Sequence, residues 1–210
     1  EAVLLCGESG CGKTTLTRLI NGLIPHYYEG ELEGTVVVDG LNVPDTPLYE
    51  LAPHVSSVFQ NPRSQFFTVD TTSELAFGCE NLGMAETEIL SRIERVAQEY
   101  NLTPLMGRRI FALSGGEKQK IACACASVIQ ADVIVLDEPS SNLDAAAIGD
   151  IRKALKQWKL QGKTIIVAEH RLHYLADIVD RVVYMKEGQI EKIYPVGDFL
   201  SMQEKEREDM

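Results

Sequence analysis

Six short runs of apolar residues punctuate the chain: Ala2 to Cys6, Thr35 to Val38, Val55 to Phe59, Val133 to Leu136, Thr164 to Ala168 and Arg181 to Met185. Their apolar character is continuous rather than alternating, which predicts strands buried on both faces of a largely parallel sheet, and helix-like stretches separate several of them. The order is that of an α/β protein. Between Phe59 and Val133 the strand signal lapses, and Ser73 to Tyr100 has helical periodicity with Glu, Arg and Gln on its polar side. We therefore expect a helical lobe, about residues 70–129, inserted into a core made of 1–69 and 130–210. The segment "KEGQIEKIY" from Lys186 places a Glu-Gly turn between two apolar runs and reads as a hairpin. The closing "QEKEREDM" is charged and apolar-poor, the pattern of a frayed end or a linker.

Composition narrows the class. A chain of 210 residues that is 45% hydrophobic can bury one sizeable core, with or without a smaller lobe. Its formal charge of −11 argues against nucleic acid as a partner, because a duplex-binding surface needs Lys and Arg to replace counterions. The five cysteines are odd in number, and Cys123 and Cys125 flank a single residue inside an apolar run, which fits neither a disulfide ladder nor a zinc site. They read as reduced packing residues. No apolar run approaches the roughly 18 residues of a membrane span, so action at a membrane would have to pass through partners. The first apolar run begins at the second residue, where a core strand rarely stands, and the expectation is a part of a longer protein.

The chemistry begins with "GESGCGKTT", in which Gly7, Glu8, Ser9, Gly10, Cys11, Gly12, Lys13, Thr14 and Thr15 fit G-x-x-x-x-G-K-[ST] between a predicted strand and a helical run. Glycines in that context let backbone N–H groups wrap phosphate oxygens at a helix N-terminus, where the dipole also favours anions. Lys13 would reach the β- and γ-phosphates of a nucleotide, and Thr14 would ligate Mg²⁺. Further on, "ADVIVLDEPSSNLD" sets Asp137 and Glu138 at the C-terminal end of a buried strand, where ligands sit in open α/β sheets. Asp137 is placed to hold Mg²⁺ through water, and Glu138 to polarise an attacking water as general base.

A second glycine-rich helix opening, "LSGGEK", spans Leu113 to Lys118. Ser114 and Glu117 have the spacing of a capping box, and the small residues that follow permit close helix packing. Ser114, Gly115 and Gly116 equally present a hydroxyl and N–H groups at a positive helix end, with no lysine among them to complete a site. Both readings fit the residues.

With these motifs in order, the chain resembles the ATP-binding cassette (ABC) ATPases along nearly its whole length. The resemblance rests on the loop Gly7 to Thr14, on Gln60 closing "VSSVFQ", on "LSGGE" at Leu113 to Glu117, on the strand and carboxylates Val133 to Glu138 with "SNLD" from Ser141, and on His170 after "TIIVAE". It implies a P-loop NTPase (RecA-like) core with a mostly parallel sheet, an inserted helical subdomain and a partial antiparallel β-subdomain. It also implies ATP and Mg²⁺ as ligands, and a head-to-tail pair of cassettes in which Ser114 to Glu117 meet the γ-phosphate held by a partner. In that family Gln60 would contact Mg²⁺ or the lytic water, His170 the γ-phosphate, and Asp144 would reach across the dimer. A soluble ATPase of the ABC-F type acting on the ribosome is the alternative, which the acidic charge and the Gln60-Asn61-Pro62 run disfavour.

The runs "VFQNPRSQFF", "NGLIPHYYEGELEG" and "AEHRL" are similar to the ATPases of energy-coupling-factor importers of vitamins and transition-metal ions. That likeness implies a place on the cytoplasmic face of the membrane, a transmembrane coupling subunit, and often a second cassette fused in the same polypeptide. Phe66 and Phe67 are then either core residues or contacts for the membrane subunit. The family usually has antiparallel strands and an adenine-stacking aromatic residue ahead of the loop, and "TVVVDG" and the hairpin at Lys186 are expected to lack sheet neighbours without them.

Overall fold

The structure, a computed structural model, describes residues 1–202; the charged segment read as a frayed end or linker, 203–210, lies outside the described residues. The strands are β1 (Ala2–Cys6), β2 (Val37–Val38), β3 (Leu41–Asn42), β4 (Val55–Val58), β5 (Val133–Asp137), β6 (Thr164–Ala168), β7 (Arg181–Lys186) and β8 (Gln189–Pro195). The α-helices are α1 (Lys13–Ile20), α2 (Leu23–His26), α3 (Leu48–Leu51), α4 (Thr71–Asn81), α5 (Glu86–Glu99), α6 (Gly115–Ile129), α7 (Ala145–Leu160) and α8 (Val196–Ser201).

Six strands form one sheet in the order β4-β5-β6-β1-β7-β8, parallel except for β8, which returns antiparallel to β7. The continuous apolar runs have the meaning expected of them. Along β1, Ala2, Leu4 and Cys6 join Ile134, Leu136, Ile165 and Val167 in the main core, while Leu5 faces the other way with Ala168, Val183 and Met185. Val133 and Val135 of β5 share that second face with Val38, Val43 and Leu51. Helices cover both faces, so alternation between apolar and polar residues would have left buried polar groups unpaired. Registers that pair Leu5 with Ala168, and Ala168 with Asp137, bring the C-terminal ends of β1, β5 and β6 to one edge.

The inserted lobe is helical, with one difference from the expected periodic stretch. Ser73 to Tyr100 is not continuous: α4 and α5 are separated by a turn at Leu82 to Ala85. Asp70 starts α4 by accepting from the N–H groups of Thr72 and Ser73, and α5 buries Ile89, Ile93 and Val96 along one stripe. These residues, with Ile121 and Ala122 of α6, belong to the same apolar cluster as the sheet.

The run Thr35 to Val38 is corrected. It is no core strand: only Val37 and Val38 are extended, paired with Asn42 and Leu41 in a separate two-stranded ladder. Val36 and Val38 pack inward on Val43 and Leu51, and Val37 is left exposed. Apolar, β-branched residues earn a strand only where a partner edge lies alongside, and the main sheet ends at β4. The hairpin from Lys186 is present, turning through Glu187 and Gly188 with φ of 49° and 79°, the positive pair that a two-residue turn of twisted strands requires. Its outer strand β8 is an edge, with Ile190 and Ile193 half exposed.

Candidate functional site

The loop after β1 is shaped by a contact that only glycine permits. Gly7 has φ of 142°, and a Cβ there would stand 2.1 Å from the Met185 carbonyl oxygen of β7. The chain then winds through the loop into α1, whose first turn begins at Lys13. Lys13 is almost completely buried and lies back over its own loop: Nζ donates to the carbonyls of Gly7 at 2.8 Å and Glu8 at 3.0 Å and approaches Cys11 Sγ at 3.7 Å. Loop carbonyls thus hold a cation beside the start of α1, where helix N–H groups without a side-chain cap can receive phosphate oxygens.

Two strands away, Thr14 Oγ1 donates to Asp137 Oδ1 at 3.1 Å, so the loop and the end of β5 are already joined. Burial raises the Asp137 carboxyl above the ordinary carboxylate range, and the neighbouring Glu138 charge adds to this against the Thr14 hydrogen bond. Hydroxyl and carboxylate oxygens so placed suit Mg²⁺, a hard cation that keeps few protein ligands and completes its shell with water and phosphate. Among the described residues no three His, Cys, Asp or Glu side chains gather to hold a metal by themselves.

Glu138 sits in left-handed backbone, φ 43°, which a glutamate rarely adopts. Its N–H donates to the Ala168 carbonyl of β6 at 2.8 Å, and that bond helps to hold the turn. The consequence is an outward carboxylate on which three separated segments converge. Gln60 Nε2 donates to Oε2 at 2.8 Å, Ser141 Oγ donates to the same oxygen at 3.2 Å, and His170 Nε2 lies 3.2 Å from Oε1. Residues 60, 138 and 170 thus meet at one point although 110 positions span them in the sequence.

The second glycine-rich opening stands apart from this cluster. Ser114 caps α6 through a complete capping box: its Oγ accepts from the Glu117 N–H at 3.2 Å, and its own N–H donates to Glu117 Oε2 at 2.7 Å. Glu117 also pairs with Arg108 at 2.9 Å, and these bonds, the Ser114 N–H first, hold its carboxyl below the usual range. A Cβ on Gly116 would stand 2.8 Å from Ala147 Cβ of α7, whereas Gly115 would meet nothing nearer than Leu143 at 4.0 Å. The bland reading of this motif, a cap with close packing, is therefore present in full, and Gly115 with the Ser114 hydroxyl remains at the surface. Asp144 likewise has an internal task, capping α7 through the Ala147 N–H at 2.8 Å.

Phe66 packs partly on the core, while Phe67 is 74% exposed and stacked on Phe77 at 5.1 Å. The loop that carries them is pinned at both ends. Gln65 bonds to Phe59 N–H and the Ser57 carbonyl, and Glu74 of α4 accepts from the N–H groups of Phe67 and Thr68. Sequence reading missed Glu74, Ser141 as a partner of Glu138, and Glu169, a buried glutamate directly before His170. A carboxylate closing the apolar run "TIIVA" was the available signal for the last. All five cysteines are free thiols, and burial pushes Cys6 up to about 11.

A glycine-rich loop after an interior strand of a mostly parallel sheet, joined to a carboxylate at the end of a strand two places away, defines a P-loop nucleotide-binding α/β protein. The family model described as ABC transporter matches residues 1–141, and the chain belongs to that family. It is 50% identical, over its whole length, to a Treponema denticola protein described as an ABC transporter ATP-binding protein, and 33% identical over 94% of its length to one of Pyrococcus horikoshii. It covers 43% of the first relative and 74% of the second, and only 31% of a Methanosarcina acetivorans protein with which it shares 41% identity. The chain thus spans less than half the length of two of these three. Among solved structures, cbiO1 from Clostridium perfringens, part of the ABC transporter complex cbiONQ, superposes with a TM-score of 0.83 at 27% identity, over 99% of this chain and 82% of that one. A dimeric ATP-binding cassette bound to ADP and Pi shares the fold, with a TM-score of 0.78 at 23% identity. Among the described residues no helix is long and apolar enough to cross a membrane.

Proposed function

We propose that this chain is the ATP-binding and ATP-hydrolysing part of an ABC importer of the energy-coupling-factor type, working at the cytoplasmic face of the membrane. The observation that carries hydrolysis is the convergence of Gln60, Ser141 and His170 on the Glu138 carboxylate beside the Thr14–Asp137 pair. In this reading the loop N–H groups and Lys13 bind the phosphates of ATP, and Thr14 and Asp137 hold Mg²⁺, which neutralises phosphate charge when bound. Glu138 takes the proton of the attacking water, Gln60 orients that water, and His170 donates toward the γ-phosphate. Gly115, free of packing duties, and the exposed Ser114 hydroxyl, which caps α6 as an acceptor and keeps its proton to donate, serve ATP on a second cassette, and Asp144 lies at the same junction. The lobe at about 70–129 and the exposed Phe67 face the membrane subunit.

The importer subtype rests on the likeness to cbiO1, whose complex is an ABC transporter, and on the runs around Gln60 and His170. Steady-state ATP hydrolysis by the full-length protein tests the reading. Glu138→Gln is expected to lower turnover by about a hundredfold or more, to keep ATP binding, and to accumulate an ATP-bound dimer. Wild-type turnover in that variant would end the assignment of Glu138.

A further inference from the structure

Glu169 is one of the most deeply buried charged side chains of the chain, 2% exposed, and no Lys or Arg pairs with it among the described residues. A carboxylate withdrawn from water must be satisfied by hydrogen bonds. Four donors do this. Oε1 accepts from the N–H groups of His170 at 2.8 Å and Arg171 at 3.1 Å. Oε2 accepts from the Tyr174 hydroxyl at 2.9 Å and, more weakly, from the Ser140 N–H at 3.3 Å. Burial and the Glu169 charge push the Tyr174 phenol well up, so it stays protonated and donating.

The donors come from two different loops. One oxygen holds the turn that carries His170, and the other holds the residue two places after Glu138. The Glu169 N–H adds a third tie, to the Leu5 carbonyl at 3.1 Å, just ahead of the phosphate loop. A residue needed only for folding could spread such bonds anywhere; these fall on the segments that bear the two groups 3.2 Å apart at Glu138 Oε1 and His170 Nε2.

We propose that Glu169 is a positioning residue for hydrolysis: its buried carboxylate locks the His170 turn and the segment after Glu138 into one unit and so sets the contact between them. The proposal rests on the reading of Glu138 and His170 given above. Both carboxylate oxygens are needed, because Oε1 alone holds the N–H groups of the His170 turn and Oε2 alone reaches Ser140, which it binds together with the Tyr174 hydroxyl. Glutamine offers a single oxygen, and its amide would face N–H or O–H donors on the other side, so one loop is released whichever way it turns.

The test compares Glu169→Gln, Tyr174→Phe, His170→Ala and Glu138→Gln in the full-length protein by steady-state kinetics, with thermal unfolding to confirm that each is folded. Glu169→Gln is expected to lower kcat between about tenfold and a hundredfold while KM for ATP stays within about twofold, the signature of a reacting group displaced by a fraction of an ångström to an ångström. Tyr174→Phe removes one of four donors and should give a smaller loss in kcat alone. In nucleotide-free protein, the ring ¹⁵N resonances of His170 should move in Glu169→Gln as the Glu138 contact loosens, a readout that needs no turnover. Unchanged His170 resonances, or a raised KM with kcat intact, would overturn the proposal. If His170→Ala and Glu138→Gln both turn over like the wild type, the hydrolytic reading fails and takes the proposal with it. If both are inactive and Glu169→Gln is not impaired, the positioning role alone falls.

Discussion

At the scale of single residues the site is governed by where charge is buried. Lys13 is buried and Asp137 half-buried, and both are compensated locally, the first by carbonyl oxygens and the second by the Thr14 hydroxyl. The Asp137 carboxyl is raised chiefly by burial, so protons compete with a cation for it at higher pH than for an ordinary aspartate. The sign follows directly: metal binding needs the carboxylate, so Mg²⁺-dependent ATP binding should weaken as pH falls toward that raised pKa. Asp137→Asn should flatten this acid limb and weaken Mg²⁺-dependent binding by about tenfold or more, near 1.4 kcal/mol, as read by nucleotide titration with and without Mg²⁺ across pH. The residue types at this point were legible in advance, because a lysine after a glycine-rich turn and two acids after an apolar strand each have few structural uses. Ser141 and Glu169 were not, since a serine in a polar loop and a glutamate at a strand end have many.

At the scale of elements, the opening of α6 separates packing from presentation. Gly116 lies against Ala147 of α7 and Gly115 lies free, so one added methyl group at each position asks two different questions. Gly116→Ala must push α7 away and should cost about 1–3 kcal/mol, seen as a lower thermal midpoint. Gly115→Ala should change stability by no more than about 0.5 kcal/mol and yet reduce turnover, if that surface meets a second cassette. Equal stability loss in both variants would contradict the packing account, and full turnover in Gly115→Ala would remove the case for presentation. The strands and the hairpin were readable from periodicity because both faces of the sheet are covered. The break between α4 and α5 was not, because apolar residues, Leu82 and Met84, continue through the turn between them.

At the scale of the whole molecule, lobe and core are one packed body joined by a polar node. Ser127 of α6 hydrogen-bonds to the Tyr100 hydroxyl at the end of α5, at 2.7 Å, and accepts from Trp158 Nε1 of α7 at 2.8 Å. Trp158 is among the largest fully buried side chains. Ser127→Ala leaves both partners unpaired in a region with little water, and it should destabilise the protein by about 1–3 kcal/mol. Denaturant unfolding measures this, and hydrogen exchange should reveal faster opening of α5 and α6 than of the sheet. A uniform change across the chain would argue that lobe and core open only together.

The sequence by itself determined the class of the fold and the family, and it singled out the glycine-rich loop and the acid pair as the candidate site. Each is a local pattern: a period, a spacing, or a short run whose chemistry needs no distant neighbour. Tertiary structure decided the rest. Sheet order set the ends of β4, β5 and β6 side by side, so that Gln60 and His170 close on Glu138. The missing partner edge demoted Thr35 to Val38 to a two-residue ladder. Burial turned Glu169 from an unremarked acid into the tie between two loops. These are questions of which groups share a point in space and how much water reaches them, and a linear pattern holds neither quantity.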